Sequence, residues 1–258
     1  VLDSALRPLT DHPARAAILC DIDGTLAPIA PRAEEARVPP AATRALAELS
    51  RRYAVVACVS GRSALDAKRL AGVGAIAYAG AHGAELLWPG DLKPTVVPEF
   101  ERYAEAVHGF AAAHDGDDLR GLGIRIEDKG PIVAFHWRGA PDEDAAAARL
   151  REIARETDGL ATHWGRKVLE VRPPVPISKA RAVEQLIARP EVRAALYGGD
   201  DTTDLDAFDA LDAAVADGTL DTAVRVGVVS SEGPRAIEER ADLAVPGTAG
   251  FLEVLHAL

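Results

Sequence analysis

Cysteine is nearly absent from this chain, with only Cys20 and Cys58 among 258 residues. Both stand in apolar runs that read as core strands, so they are expected to be small buried hydrophobes rather than a disulfide, a metal site or a nucleophile. Clustered Lys and Arg are missing too. With a formal net charge of -11, the chain lacks the basic surface that holds a phosphate backbone, which argues against a nucleic-acid partner. No apolar run reaches the roughly 20 residues needed to span a bilayer. The uncharged segment from Leu70 to Ala84 is shorter, is diluted by Gly and Ala, and reads as buried. The opening VLDSALRPLT has neither the basic flank nor the apolar run of a secretory signal, so a cytoplasmic home without a membrane partner is the default expectation. A monomer is also expected. Internal repeats and long low-complexity stretches are absent. Hydrophobic residues at 48% and charged residues at 27% are near the average for soluble globular proteins, so neither disorder nor a fibrous structure is suggested.

What is present is a rhythm. Up to Gly83, short apolar runs alternate with amphipathic ones: AAILCD, TRALAELSRR, YAVVACVS, SALDAKRLAG, AIAYAG. Alternating strand and helix imply a parallel sheet covered on both faces. After Gly83 the rhythm changes to a helix over FERYAEAVHGFAAAH, strands LGIRIED and IVAFHWR joined at Lys129-Gly130-Pro131, a helix over EDAAAARLREIARE, and strands LATHWG and KVLEVRP. From Pro176 the first rhythm returns, with SKARAVEQLIA, AALYGGD, TDLDAFDAL, AVRVGVV and ADLAVP. The expected architecture is α/β: a doubly wound, mainly parallel sheet over 1–92 and 176–258, with an inserted α+β domain over 93–175.

The run AAILCDIDGTL ends a strand with two carboxylates two positions apart, and in an extended chain residues i and i+2 share a face. Asp21 and Asp23 can therefore converge on one ligand, beyond the carboxyl ends of the strands where doubly wound sheets bind ligands. Two adjacent acids repel, so such a site needs a cation or a proton. A hard divalent ion would keep Asp21 ionised, while a less shielded Asp23 could hold a proton as a general acid. A second acidic cluster, GGDDTTDLDAFD, places Asp200, Asp201 and Asp204 where a strand meets a helix. Capping explains one or two acids there; three beside Gly198 and Gly199 exceed that need and can complete a metal site. Magnesium takes only one or two carboxylates, and Asp200 is the first candidate.

The segment VVACVSGRS offers a hydroxyl at Ser60, a backbone turn at Gly61, a guanidinium at Arg62 and the first amides of the following helix, all suited to a phosphate. Lys179 opens a later helix. Each of these has a plain structural reading: a turn, a cap, a solvated lysine. Their combination, in this chain order and at strand ends, is what phosphoryl transfer requires.

These four segments resemble the motifs of the haloacid dehalogenase-type phosphatases over the whole core. The resemblance implies that Asp21 is the nucleophile and Asp23 the general acid/base, that Ser60 and Lys179 hold the phosphoryl group, and that Asp200 completes a Mg2+ site. It also implies that the insert is a cap of the family's larger type. Within that superfamily, GAHGAE at 80–85, RIEDKGPIVAFHWR at 125–138 and KVLEVRP at 167–173 resemble the trehalose-6-phosphate phosphatases. In that group a Glu-x-Lys pair, a downstream Arg and another Glu grip sugar hydroxyls, which implies Glu127, Lys129, Arg138 and Glu170 here, with His82 and Gly83 lining the seam between core and cap. Those four are otherwise outward strand residues paired across a sheet, and His82 a loop histidine. His136-Trp137-Arg138 carries Trp where the family more often has Tyr. The implied partner is a small sugar phosphate, trehalose 6-phosphate first. A related phosphatase of sucrose 6-phosphate or a glycosyl phosphoglycerate would share the core motifs. A non-catalytic sugar-phosphate sensor is opposed by the intact acids and Lys179.

Overall fold

The computed structural model describes residues 2–231 and 233–258. In chain order its strands are β1 (Ala16–Cys20), β2 (Val55–Val59), β3 (Ala77–Gly80), β4 (Glu85–Leu87), β5 (Thr95–Val96), β6 (Arg125–Asp128), β7 (Val133–His136), β8 (Ala161–Gly165), β9 (Val168–Arg172), β10 (Ala194–Gly199), β11 (Thr222–Val229) and β12 (Leu243–Pro246). The helices are α1 (Leu2–Thr10), α2 (Pro40–Leu49), α3 (Ala64–Ala71), α4 (Pro98–Glu101), α5 (Ala104–His114), α6 (Asp117–Gly121), α7 (Glu143–Ile153), α8 (Lys179–Ile187), α9 (Thr202–Ala216), α10 (Arg235–Arg240) and α11 (Gly247–Ala257). The chain falls into two compact units, Val1–Thr95 with Ile177–Leu258, and Val96–Pro176.

The larger sheet runs β12-β11-β10-β1-β2-β3-β4-β5. The six strands from β12 to β3 are parallel, and β4 turns back antiparallel on β3. Every residue of β1, β2 and β10 is buried, as expected of central parallel strands covered on both faces. Ile18 and Cys20 join Leu6, Leu9, Leu46, Leu49, Phe251 and Val254 on the face covered by α1, α2, α3 and α11. Ala17 and Leu19 face the other way and join Val183, Leu186, Phe208, Leu211 and Ile237 of α8, α9 and α10. The period-2 alternation of β1 thus feeds two separate cores, and the odd-numbered face leads on to Asp21.

Cys20 and Cys58 stand opposite each other on β1 and β2, both buried and both free. The neighbouring Cys58 thiol and burial push the Cys20 thiol well up, so it remains a protonated core side chain as the sequence leads one to expect.

The second unit carries a four-stranded antiparallel sheet in the order β6-β7-β9-β8. Val107, Phe135, Leu150, Ile153, Leu169 and Val171 fill the core between this sheet and its helices. The opposite face of the sheet holds Glu127, Ala134, Glu170 and His163, aligned across β6, β7, β9 and β8 by the register. FERYAEAVHGFAAAH, expected as one helix, forms α4 and α5 with a turn between them, where the Tyr103 amide bonds the Phe100 carbonyl at 2.9 Å. Among the described residues no helix is long and apolar enough to cross a membrane.

Candidate active site

The first acid is placed by continuation of the sheet. Asp21 lies one residue past β1, and its amide donates to the Gly198 carbonyl at 2.9 Å, extending the pairing of β1 with β10 by one step. The chain then turns sharply, with the amides of Leu26 and Ala27 both bonding the Ile22 carbonyl at 2.9 and 2.8 Å. Gly24 has φ +96°, and a Cβ there would lie 2.0 Å from Asp200 Oδ2. Only glycine offers both the backbone conformation and the space. Thr25 Oγ1 donates to Asp200 Oδ1 at 2.9 Å. Gly24 and Thr25 of the DGT turn therefore seat the carboxylate of the second acidic cluster.

Lys179 opens α8 and is buried, with Nζ 3.0 Å from Asp21 Oδ1 and 2.6 Å from Asp204 Oδ1. Asp204 is fully buried and saturated. Its Oδ1 accepts from Lys179 and from the Tyr197 hydroxyl at 2.7 Å, and its Oδ2 accepts the amides of Asp200 and Asp201, each at 3.0 Å. Asp201 caps α9 through the Thr202 amide. Ligand atoms of Asp21, Asp200 and Asp204 lie within 4.8 Å of one another, a grouping that fits a metal ion.

Of the five acids considered as ligands, the structure brings these three together and leaves Asp23 and Asp201 outside the group. Asp204 accepts four hydrogen bonds from protein donors, so within the group Asp21 and Asp200 keep more lone pairs for a cation. Burial pushes the Asp21 carboxyl well up despite Lys179, with Asp204, Asp200 and Asp23 adding to the effect. Burial and Asp204 likewise raise Asp200 to about 7, against the lowering by Thr25 and Lys179. Burial opposes the charge on Lys179, but Asp204 and Asp21 overcome that and raise its pKa. Three buried carboxylates facing one lysine leave excess negative charge, which a proton or a divalent cation relieves.

Arg62 holds Asp23 in a bidentate fork, Nε to Oδ2 and Nη2 to Oδ1, both at 2.7 Å. Buried Ser60 accepts the Arg62 amide on Oγ at 3.1 Å, which leaves the hydroxyl proton to donate elsewhere. The first amides of α3, expected to serve a phosphate, are engaged instead: Ala64 donates to Glu85 Oε2 at 2.8 Å and Asp66 to Ser63 Oγ at 3.2 Å. The His82 ring lies over Gly61, where a Cβ would come 2.7 Å from Nε2. Gly83 packs on the start of α8, where a Cβ would lie 3.0 Å from the Ala182 amide nitrogen.

In the second unit Lys129 Nζ meets Glu170 Oε1 at 3.0 Å and His136 Nε2 meets Glu127 Oε2 at 2.7 Å. Arg138 donates to the Arg166 carbonyl at 3.1 Å. Alternation puts Glu127, Glu170 and His136 on the sheet face away from the helices, with the small Ala134 between the two acids. The sequence reading did not single out Thr25, Glu85, His136 or Tyr197. Thr25 lies in the DGT turn, where a polar side chain beside Gly24 was the available signal, and Glu85 ends the GAHGAE segment. Tyr197, within an apolar strand, gave none.

The chain is similar to known proteins over most of its length. Residues 19–246 match the family described as Trehalose-phosphatase. A trehalose-phosphate phosphatase of Mycobacterium marinum is 35% identical over 210 residues, covering 76% of this chain. The chain spans 52% of that protein, about half its length, and 15% of a Mycobacterium tuberculosis relative. The solved structure of a trehalose-6-phosphate phosphatase related protein is 26% identical with a TM-score of 0.71, covering 93% of this chain and 95% of that one. A haloacid dehalogenase-like hydrolase from Bacteroides thetaiotaomicron shares the fold at a TM-score of 0.62 and 12% identity, over 93% of this chain and 98% of that one. The α/β core with its separate antiparallel cap sheet is thus haloacid dehalogenase-like, and the chain belongs to the trehalose-phosphatase family.

Proposed function

We propose that this chain hydrolyses trehalose 6-phosphate to trehalose and phosphate through an aspartyl phosphate on Asp21, with Mg2+ as cofactor. The observation that carries the proposal is the buried cluster in which Lys179 bridges Asp21 and Asp204 while Gly24 and Thr25 seat Asp200 beside them. Asp21 and Asp200 would hold Mg2+, and Asp204 would fix Lys179 and the amides of Asp200 and Asp201. Mg2+ bound there would offset charge on the carboxylates and on the phosphoryl oxygens.

Asp21 attacks phosphorus with one carboxylate oxygen, the bond from phosphorus to the sugar oxygen breaks, and its electron pair leaves with that oxygen. Asp23 gives the departing oxygen a proton. Water then attacks phosphorus, Asp23 takes its proton, and the bond to Asp21 breaks, restoring both carboxylates. Arg62 takes one lone pair on each oxygen of Asp23 in this structure, which leaves one on each for the proton. An incoming phosphoryl group offers the guanidinium a competing bidentate acceptor. Ser60 and Lys179 donate to the phosphoryl oxygens as charge moves onto them.

The polar face of the cap sheet, with Glu127, Lys129, Glu170 and His136, offers the alternating donors and acceptors a hydroxyl-rich disaccharide needs, and Arg138 adds another donor. Core and cap are proposed to act as the catalytic and the specificity domain, respectively, of one phosphatase.

The test is phosphate release from trehalose 6-phosphate, sucrose 6-phosphate, glucose 6-phosphate and glucosyl 3-phosphoglycerate, each with and without Mg2+. Mg2+-dependent selectivity for the first is expected. Preference for another ester would keep the chemistry and overturn the substrate, and no turnover of any would favour a sugar-phosphate sensor.

A further inference from the structure

Glu85 opens β4 and is buried, yet none of the chemical steps uses it. Its Oε2 accepts the Ala64 amide, the first of α3, at 2.8 Å. A carboxylate at that position is favoured by the exposed amides and the positive end of the helix dipole. The approach depends on Gly80, the register partner of Glu85. A Cβ at residue 80 would lie 2.1 Å from the Ala64 nitrogen and 2.8 Å from Glu85 Oε2. The absence of a side chain there lets the helix end and the carboxylate meet.

Ser60-Gly61-Arg62 precedes Ser63, the cap of α3, and this loop is fastened to the segment leading into β4. Ser60 donates its amide to the Ala79 carbonyl at 2.9 Å, Ala81 to Arg62 at 2.7 Å, and His82 to Ser60 at 3.0 Å. Ala81 and His82 adopt left-handed φ values of 48° and 54°. Such strain in non-glycine residues persists where the surroundings over-determine it. The bond from Ala64 to Glu85 closes the far end of this ladder, so the ladder is anchored both before and after the loop. Loosening that end frees the helix start to move and carries Ser60 and Arg62 with it.

We propose that Glu85 is a positioning residue that fixes the Ser60–Arg62 loop through the first amide of α3, and so sets the affinity for the phosphoryl group. This rests on the reading of that loop as the phosphate-binding loop. The role belongs to an acceptor oxygen at a given reach. Glu85→Gln keeps that oxygen, Glu85→Asp is one methylene too short to meet Ala64, and Glu85→Ala removes it.

The experiment is the Kd for orthophosphate by calorimetry at saturating Mg2+, with KM and kcat for p-nitrophenyl phosphate, on the wild type, the three Glu85 variants and Ser60→Ala. Circular dichroism checks each fold. Gln is expected within about threefold of wild type. Asp and Ala are expected to weaken phosphate and raise KM by about tenfold or more, because misplacing a binding group by even 1 Å is costly. Their half-saturating Mg2+ should stay within about threefold. Equal phosphate affinity in all Glu85 variants, or Gln as weak as Ala, would overturn the proposal. Unfolding of both Asp and Ala variants, or a parallel loss of kcat and Mg2+ response, would also overturn it by making Glu85 a general stability residue. If Ser60→Ala too leaves phosphate affinity unchanged, the reading of the loop fails; a response of Ser60→Ala alone rejects only the role of Glu85.

Discussion

The core and the cap place their polar groups differently. In the core, Asp21, Asp204 and Lys179 lie almost wholly inside the protein, and the two oxygens of Asp204 alone accept four hydrogen bonds from residues in α8, β10 and the loop before α9. Asp204 and Lys179 each have more than one partner, and the contact between them joins residues 25 apart in the chain. The polar groups of the cap sit on one face of a sheet, where Glu170 is also buried, and include the ion pairs of Lys129 with Glu170 and His136 with Glu127. A cross-strand pair can change without disturbing the hydrophobic side of its sheet. The core cluster cannot lose a member so easily, since every partner would then keep an unmatched buried group. On this account the core fixes one chemistry and the cap selects what is subjected to it, so substitutions in the two regions should have separable kinetic signatures.

The sharpest contrast comes from Asp21→Asn, which would remove the proposed nucleophile and should lower kcat on every phosphate ester by about 10^4-fold or more while leaving the fold intact. Comparable turnover of any ester by a clean preparation of this variant would erase the distinction between the regions. Asp204→Asn should come next. It weakens the acceptor shared by Lys179, Tyr197 and two amides, and about 3 kcal/mol of stability and roughly 100-fold in kcat are expected to go together. Denaturant unfolding and steady-state kinetics on the same sample would show whether the two losses are in fact linked.

Cap substitutions should act differently. Glu127→Gln and Glu170→Gln are expected to raise KM for trehalose 6-phosphate by about 10- to 100-fold, the effect of a few mismatched hydrogen bonds. KM for p-nitrophenyl phosphate, which has no sugar, should not move. A rise for both substrates would place these residues outside sugar recognition.

The smallest effect is on pH, and its sign follows from the raised carboxyls. An acid whose folded pKa lies above its unfolded value binds its proton more tightly when folded, so stability without metal should fall as pH rises from about 4 towards 7 through Asp200. Mg2+ must displace that proton. Its apparent affinity should weaken by about tenfold per unit as pH drops below about 7, and its stabilisation against heat should be larger at pH 8 than at pH 5.5. Calorimetric titrations in buffers of different ionisation heat would count the protons released; none released at pH 6 would contradict the raised carboxyl.

Much of this was legible in the sequence because strand ends and chemistry coincide. AAILCDIDGT, VVACVSGRS and AALYGGDDTT each pass from a fully apolar run to polar groups at one point, and β1, β2 and β10 end there. The weaker patterns were unreadable for physical reasons. α1 contains Pro8, α11 opens on Gly-Thr-Ala-Gly, and β4 and β5 are too short to show a period. At the site, the acids were visible but their division of labour was not. Nothing in GGDDTTD says that Asp201 caps a helix while Asp204 turns inward to Lys179 and Tyr197, because that depends on partners 25 and 7 residues away. The bidentate hold of Arg62 on Asp23 spans 39 residues and was equally hidden.

The central claim, that Asp21 carries the phosphoryl group, is tested most directly by chemical trapping. An aspartyl phosphate is an acyl phosphate, which borohydride reduces to homoserine. The enzyme would be mixed with excess trehalose 6-phosphate and Mg2+, quenched during turnover, reduced and digested, and the peptide spanning residue 21 weighed by mass spectrometry. Homoserine at position 21, dependent on substrate and absent in Asp21→Asn, is the predicted result. Steady turnover with an unmodified Asp21, or homoserine at another acid, would contradict it.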